Sequence, residues 1–130
     1  MATVNFTAYP ARDSSGGIAR DAFIVEWLLG QGDDGTPFYG AKYNDKSVEI
    51  SGTFAAGTVA IQGSDRPLVT AVDDWNVLND PQGNALTGVA AAKIEQLLEN
   101  TARIRPVVTG GGGTTAIRVW LLCKTVSSYQ

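Results

Sequence analysis

The stretch from Ser47 to Gln62 decides the fold, and it reads SVEISGTFAAGTVAIQ. Its first half, Ser47–Phe54, alternates apolar and polar residues, and its second half, Thr58–Gln62, has the composition of another strand. A period of two places alternate side chains on opposite faces, which is typical of a half-buried β-strand. The link 55–57 is short and ends in glycine, so the sequence predicts a β-hairpin here.

Further strand patterns lie on both sides of this stretch. Residues 2–9 alternate, and Pro10 is expected to end their strand because proline cannot donate to a ladder. The segment Asp21–Leu29 is rich in β-branched and aromatic residues with little alternation, which indicates burial on both faces or contact with a partner. The run Ala116–Cys123 is apolar enough for a central strand.

Turn clusters divide these segments at intervals of about 8–12 residues, a spacing typical of an all-β sandwich or barrel. We therefore expect one antiparallel β-sandwich domain over residues 1–130, with residues 1–10 as an N-terminal arm or an edge strand. One segment departs from this pattern. Ile94, Leu97 and Leu98 have helical spacing among good helix formers, so the local sequence predicts a short helix within residues 90–100.

The composition excludes several classes of function. The chain has no histidine, so it has no Ser–His–Asp or Cys–His nucleophile system and no histidine metal ligand. Its net charge of -3 argues against a general nucleic-acid binder, which needs a basic surface. The only cysteine, Cys123, lies in an apolar run and is expected to be a buried thiol. No apolar run approaches the ~20 residues of a membrane span, and the first residues lack a basic segment and an apolar segment, so no signal peptide is expected.

Several candidate ligand sites have a simpler structural interpretation. The run Gly110–Gly113 lacks the Lys-Ser/Thr and helix of a phosphate loop, so a hairpin loop is expected. Asp33 and Asp34 offer oxygen ligands for calcium, but solvated turn residues are the expected reading. The three tryptophans could form a sugar-stacking platform, although each lies in or beside an apolar strand, which favours core packing. We therefore expect no catalytic residue, no metal and no cofactor.

Partner-binding residues are predicted from peripheral aromatic and basic side chains. Aromatic residues and arginine are enriched at protein interfaces. Arg103 and Arg105 fall on the same side of one predicted strand, and Arg118 is a candidate third member of this arginine group. The predicted contact residues are Val4, Phe6, Tyr9, Phe38, Tyr39, Arg103 and Arg105.

A little under half of the chain resembles a known group of proteins. The resemblance is carried by the segments 57–65, 78–87 and 104–111, with Trp75 and Ile94-Glu95 between them. These segments read GTVAIQGSD, LNDPQGNALT and IRPVVTGG. They resemble small capsid decoration (cement) proteins of tailed bacteriophages, which have a jelly-roll-like β-sandwich. The chain departs from the usual pattern at Asp65-Arg66-Pro67, where an Asn-Asp-Gly turn is more common.

The resemblance implies a structural virion protein without enzymatic activity. Such a protein is made in the host cytoplasm and binds the major capsid protein on the capsid exterior, as a homodimer or homotrimer. It strengthens the shell by bridging capsid subunits, and it binds neither nucleic acid directly nor a membrane. In the family the segment around Ile94 is a strand, against the local helix prediction. The alternative function is a carbohydrate- or receptor-binding module of a phage tail or baseplate, because the same architecture carries sugar sites.

Overall fold

Two five-stranded β-sheets pack face to face in the computed structural model, which describes residues 2–71 and 74–125. The strands are β1 (Thr3–Val4), β2 (Thr7–Arg12), β3 (Ile18–Leu29), β4 (Asp34–Gly35), β5 (Asp45–Thr53), β6 (Thr58–Ser64), β7 (Asn76–Val77), β8 (Lys93–Gln96), β9 (Arg103–Thr109) and β10 (Ala116–Lys124). Within these residues there is no helix long and apolar enough to cross a membrane.

The strand order is that of a jelly roll. The first sheet has the order β1-β4-β9-β6-β7 and the second has the order β2-β3-β10-β5-β8. Neighbouring strands pair antiparallel, except that β1 runs parallel to β4. The eight strands β3–β10 therefore form two four-stranded sheets with Greek-key connections. The predicted fold class, an antiparallel and jelly-roll-like β-sandwich, is confirmed.

The strands of the Ser47–Gln62 stretch are present, but the predicted hairpin between them is wrong. Strand β5 lies in the second sheet and β6 lies in the first. Alternate residues of both strands point inward, so that Ile50 and Ile61 both enter the core that the two sheets share. The link crosses between the sheets with positive φ values at Ala55 and Ala56. Burial of both apolar faces against each other thus outweighs local pairing.

The predicted short helix within residues 90–100 is also wrong, because part of this segment is strand β8. The backbone of β8 pairs antiparallel with β5, which places Ile94 opposite Glu49. Leu97 then enters the core while Leu98 stays exposed. A helix would satisfy its backbone locally, whereas this segment obtains its hydrogen bonds from the edge of the second sheet. Tertiary pairing therefore overrides helix propensity here.

The N-terminal residues lie along the edges of both sheets. Strand β1 extends the first sheet beside β4, and β2 extends the second sheet beside β3. Pro10 does not end its strand, since β2 continues through it to Arg12. Proline is tolerated there because an edge strand leaves one side of its backbone unpaired. Phe6, between the two strands, packs edge-on against Trp27 and Phe38, at centroid distances of 5.8 and 5.7 Å.

One end of the core contains a buried thiol beside a buried amine. Cys123 and Lys46 are direct cross-strand partners on β10 and β5, and both are almost fully buried. The Lys46 ammonium contacts the Tyr43 carbonyl and the side-chain oxygen of Asn100. Burial lowers the pKa of Lys46, and it raises the pKa of the Cys123 thiol to about 12. The thiol is therefore protonated at neutral pH, as the apolar sequence around it predicts.

The raised thiol pKa predicts alkaline destabilisation. Below pH 9 the thiol is protonated in both states, whereas between pH 9 and about 12 only the unfolded chain releases the proton. Over that range the folded state loses about 1.4 kcal/mol of stability per pH unit relative to Cys123→Ala. Denaturant titrations of both proteins at several pH values measure this difference. A constant difference from pH 8 to pH 12 would contradict the assigned environment.

Candidate interaction surfaces

The outer side of the second sheet is an apolar surface centred on Trp120, which we call the Trp120 face. The burial of β10 alternates, so that Val119, Leu121 and Cys123 point into the core. Trp120 and Leu122 therefore point outward, and the neighbouring strands present further large apolar residues on the same side. The face comprises the apolar residues Tyr9, Ile24, Leu28, Ile94, Trp120 and Leu122 and the polar residues Glu26, Ser47, Glu49 and Arg118.

The strand register arranges these residues in rows across the sheet. Trp120 is the direct partner of Glu26 on β3 and of Glu49 on β5. Ile94 on β8 lies opposite Glu49 and completes the same row. Direct partners have Cβ atoms about 4.5–5.5 Å apart, so the two glutamates flank Trp120, and Glu49 lines the same groove as the indole. In the next outward-facing row, Leu122 on β10 lies between Ile24 on β3 and Ser47 on β5.

A groove of about 280 Å³ runs along this face beside the indole ring, and its lining is mostly apolar. Ile94 at its margin is 67% exposed. Apolar side chains that line an open groove make this face a candidate contact site for another molecule. The groove is lined by Ile24, Ser47, Glu49, Ile94, Trp120 and Leu122.

Part of the charge on the Trp120 face is already paired. Glu26 accepts hydrogen bonds from Arg118, at 3.1 Å, and from the Tyr9 hydroxyl, at 3.0 Å. The hydrogen bond to this carboxylate raises the pKa of Tyr9. Glu49 is exposed and forms no ion pair with any other residue in the described parts of the chain. The face therefore has one free carboxylate beside its tryptophan.

A second surface cluster, which we call the Tyr39 cluster, comprises the exposed Tyr39 and Leu68 and the partly buried Arg103. Tyr39 is 69% exposed and Leu68 is 77% exposed. The Arg103 guanidinium lies over the Tyr39 ring, 5.4 Å from its centroid, and donates to the Pro67 carbonyl at 3.1 Å. Because Ile104 points into the core, Arg103 points out of the first sheet. The Tyr39 cluster and the Trp120 face therefore lie on opposite sides of the sandwich.

The predicted contact residues are distributed over the molecule rather than gathered in one site. Tyr39 and Arg103 lie together, and Tyr9 lies on the Trp120 face. Phe38, predicted as a peripheral aromatic, is instead buried in the core and pairs its backbone with Ile104. Phe38 follows a turn-rich segment of uneven pattern, so its burial is not visible in the sequence. Two further predicted residues, Val4 and Phe6, are half-buried against the core and hold the N-terminal segment in place.

The predicted arginine group contains two members at most. Arg105 projects from β9 on the same side as Arg103, but it is mostly covered. Its guanidinium lies 4.3 Å from the centroid of the Trp75 ring and donates to Asp34 at 3.2 Å. Arg118 belongs to β10 in the other sheet, so it cannot join them. The sequence does not reveal this separation because sheet membership depends on long-range pairing.

The three tryptophans occupy three separate environments and form no shared platform. Trp27 is 1% exposed in the core, and its indole donates to the Thr36 carbonyl at 3.0 Å. Trp75 is 8% exposed beneath Arg105. Core packing was the expectation for all three, and it is wrong for Trp120. That residue occupies an outward position of an alternating strand.

The Asp33 and Asp34 carboxylates hold the N-terminal strand. Asp33 accepts hydrogen bonds from the backbone of Ala2 and Gly30, at 2.9 and 2.8 Å. Asp34 accepts from the Thr3 hydroxyl at 2.8 Å and from Arg105. In the described residues, no group of three His, Cys, Asp or Glu side chains is placed to hold a metal ion. Both carboxylates are thus engaged by this chain's own donors, and Asp34 lies in strand β4, so neither is the solvated turn residue that the sequence suggests.

Comparisons with known proteins add structural likenesses of low similarity. No protein-family model matches the chain, and neither does any curated protein. A cupin domain from Bordetella pertussis Tohama I is similar at 10% identity with a TM-score of 0.46, over 98% of this chain and 99% of that one. An adhesin domain of Lys-gingipain from Porphyromonas gingivalis is similar at 11% identity with a TM-score of 0.38, over 92% of this chain and 74% of that one. A chain in the crystal structure of reduced XRCC1 bound to the DNA polymerase β catalytic domain is similar at 9% identity with a TM-score of 0.36, over 89% of this chain and 92% of that one.

Proposed function

We propose that this protein is a structural, non-catalytic decoration protein of a tailed-phage capsid. It binds the major capsid protein on the outer surface of the shell and bridges neighbouring subunits. The observation that carries the proposal is the presence of two exposed surfaces, the Trp120 face and the Tyr39 cluster, on opposite sides of one sandwich. A bridging protein needs two separate contact surfaces on one rigid body. The resemblance of segments 57–65, 78–87 and 104–111 to decoration proteins supplies the identity of the partner.

Both surfaces have the composition of protein contact sites. Tryptophan, tyrosine and arginine contribute most of the binding energy in protein interfaces, especially where apolar neighbours exclude water. The Trp120 face places a tryptophan among aliphatic residues, and the Tyr39 cluster stacks an arginine on a tyrosine. Each surface is small, so each contact is expected to be modest. Simultaneous binding at both surfaces raises the overall affinity about 10²–10⁴-fold without any new contact.

Heads purified with and without the protein test this proposal. We expect the protein to sediment with heads, including heads emptied of DNA, and to leave them only under conditions that disrupt the shell. Heads lacking it should break at a lower temperature and at a milder salt stress. Light scattering during a thermal ramp measures the breakage. Heads that lack the protein and survive identically would contradict the bridging function, and failure to sediment would contradict capsid binding.

The alternative, a carbohydrate- or receptor-binding module, receives no support from the tryptophan arrangement. Trp27 and Trp75 are buried, so neither ring is available to stack on a sugar. Glycan-array binding that is lost in a Trp120 variant would revive this alternative. No observation favours it over protein contact, because the groove beside Trp120 has a mostly apolar lining, half of it aliphatic.

A further inference from the structure

Three aromatic rings of this chain have one of its own cations over them, whereas Tyr9 and Trp120, which share one face, are not among them. Tyr39, Tyr43 and Trp75 each have a basic side chain of this chain over the ring, at 5.4, 5.1 and 4.3 Å from the centroid. In the described parts of the chain, no such cation covers Trp120. The flat side of an aromatic ring has a negative potential that attracts cations, and tryptophan attracts them more strongly than tyrosine or phenylalanine does. The half-buried ring lines the groove, and a cation of another molecule reaches it from there.

The surroundings of Trp120 favour a cation further. The carboxylates of Glu26 and Glu49 lie on either side of it in the same cross-strand row. Glu26 already accepts from Arg118, whereas Glu49 has no ion-pair partner in the part of the chain that the structure describes. One negative charge therefore remains unpaired at the margin of an apolar groove. The site suits a ligand that has an aliphatic part and a positive end.

A second copy that packs its own Trp120 against this Trp120 does not supply that charge. If two Trp120 faces met about a twofold axis parallel to β10, Glu26 of each copy would face Glu49 of the other. An axis across the strands would instead place each glutamate against its own equivalent. Like charges placed face to face disfavour both arrangements. The face is therefore complementary to a basic surface rather than to itself.

We propose that the groove beside Trp120 binds an arginine side chain of a partner protein. The methylene stem packs between Ile94 and Leu122, and the planar guanidinium stacks on the indole and donates to Glu49. Arginine fits better than lysine because its guanidinium stacks on aromatic rings and is more weakly hydrated. This inference rests on the proposed function and deepens it, since it specifies the residue that the capsid subunit presents to this face.

Titration of the free protein with N-acetyl-L-argininamide tests the proposal by NMR. The indole N–H signal of Trp120 is assigned with the variant Trp120→Phe. We expect that signal to shift saturably, with a dissociation constant on the order of millimolar, as for a single anchoring residue. N-acetyl-L-citrullinamide has nearly the same shape without the charge and should cause no saturable shift. The variant Glu49→Gln should bind argininamide about fivefold more weakly.

The matched control is Glu95→Gln, on the adjacent edge strand, which changes the net charge equally but lies off the Trp120 face. It should bind argininamide as the wild type does. The proposal is overturned by an absent shift, by equal shifts with citrullinamide, or by equal losses in the two glutamate variants. A Trp120 signal that shifts with protein concentration alone would assign the face to a second copy and overturn it as well. Head binding is measured separately, so a failed titration with intact sedimentation removes only the arginine site.

Discussion

Replacing Trp120 by alanine is expected to weaken binding to heads by about 30-fold or more, the effect of removing a residue worth at least about 2 kcal/mol at an interface. The indole is the largest side chain on the Trp120 face and lies in its central strand, where neighbouring residues exclude water. Its side chain lies outside the core, so the fold should remain intact. Sedimentation of heads with increasing concentrations of the variant measures the affinity.

The control for this variant is Leu98→Ala. Leu98 is also an exposed large apolar residue, at 55%, but it follows β8 and does not line the groove. Its replacement should leave head binding unchanged. Equal affinities of the wild type and Trp120→Ala would remove the Trp120 face from the binding surface. Circular dichroism and the unfolding midpoint confirm that both variants are folded.

Replacing Gly52 by alanine is expected to cost about 3 kcal/mol or more of unfolding free energy. Gly52 has a φ of +125°, which L side chains rarely adopt, and an added Cβ would lie 2.3 Å from the Ala116 carbonyl oxygen. Backbone strain and overpacking each cost about 1–3 kcal/mol. The residue pairs with Ile117, so the strain acts on the β5–β10 pairing three residues from the Trp120–Glu49 pair. Thermal denaturation should show a midpoint roughly 10 °C lower.

Gly113→Ala is the matched glycine control. A Cβ at that position meets no atom within 4 Å, so the change should be within about 0.5 kcal/mol of neutral. Comparable midpoints for the Gly52 and Gly113 variants would contradict the register assigned to β5 and β10. That register also defines which residues share the Trp120 face.

Local pattern predicts the strands here better than it predicts their partners. The alternation of Ser47–Phe54 and the apolar run Ala116–Cys123 both correspond to observed strands, because side-chain period reflects burial directly. The hairpin prediction failed because pairing depends on residues far away in the chain. The helix prediction at 90–100 failed for the same reason, since β8 takes its hydrogen bonds from β5.

The interaction surfaces were only partly visible in the sequence. Tyr39 and Arg103 were predicted, and they meet in one cluster. Of the Trp120 face, the sequence predicts only Tyr9 as a contact residue, although one further signal points to this face. The segment Asp21–Leu29 has apolar residues at both alternating positions, which indicates burial on both faces or contact with a partner. Its inner residues enter the core, while Ile24 and Leu28 lie on the outer face. Without the register, nothing connects them to Trp120 and Ile94.

Electron cryo-microscopy of intact heads, at a resolution that shows side chains, tests the central claim most directly. Our account predicts this protein on the outer shell, with the Trp120 face covered by one capsid subunit and the Tyr39 cluster covered by another. An unattached protein, or one bound through a single surface with both Trp120 and Tyr39 facing solvent, would contradict it.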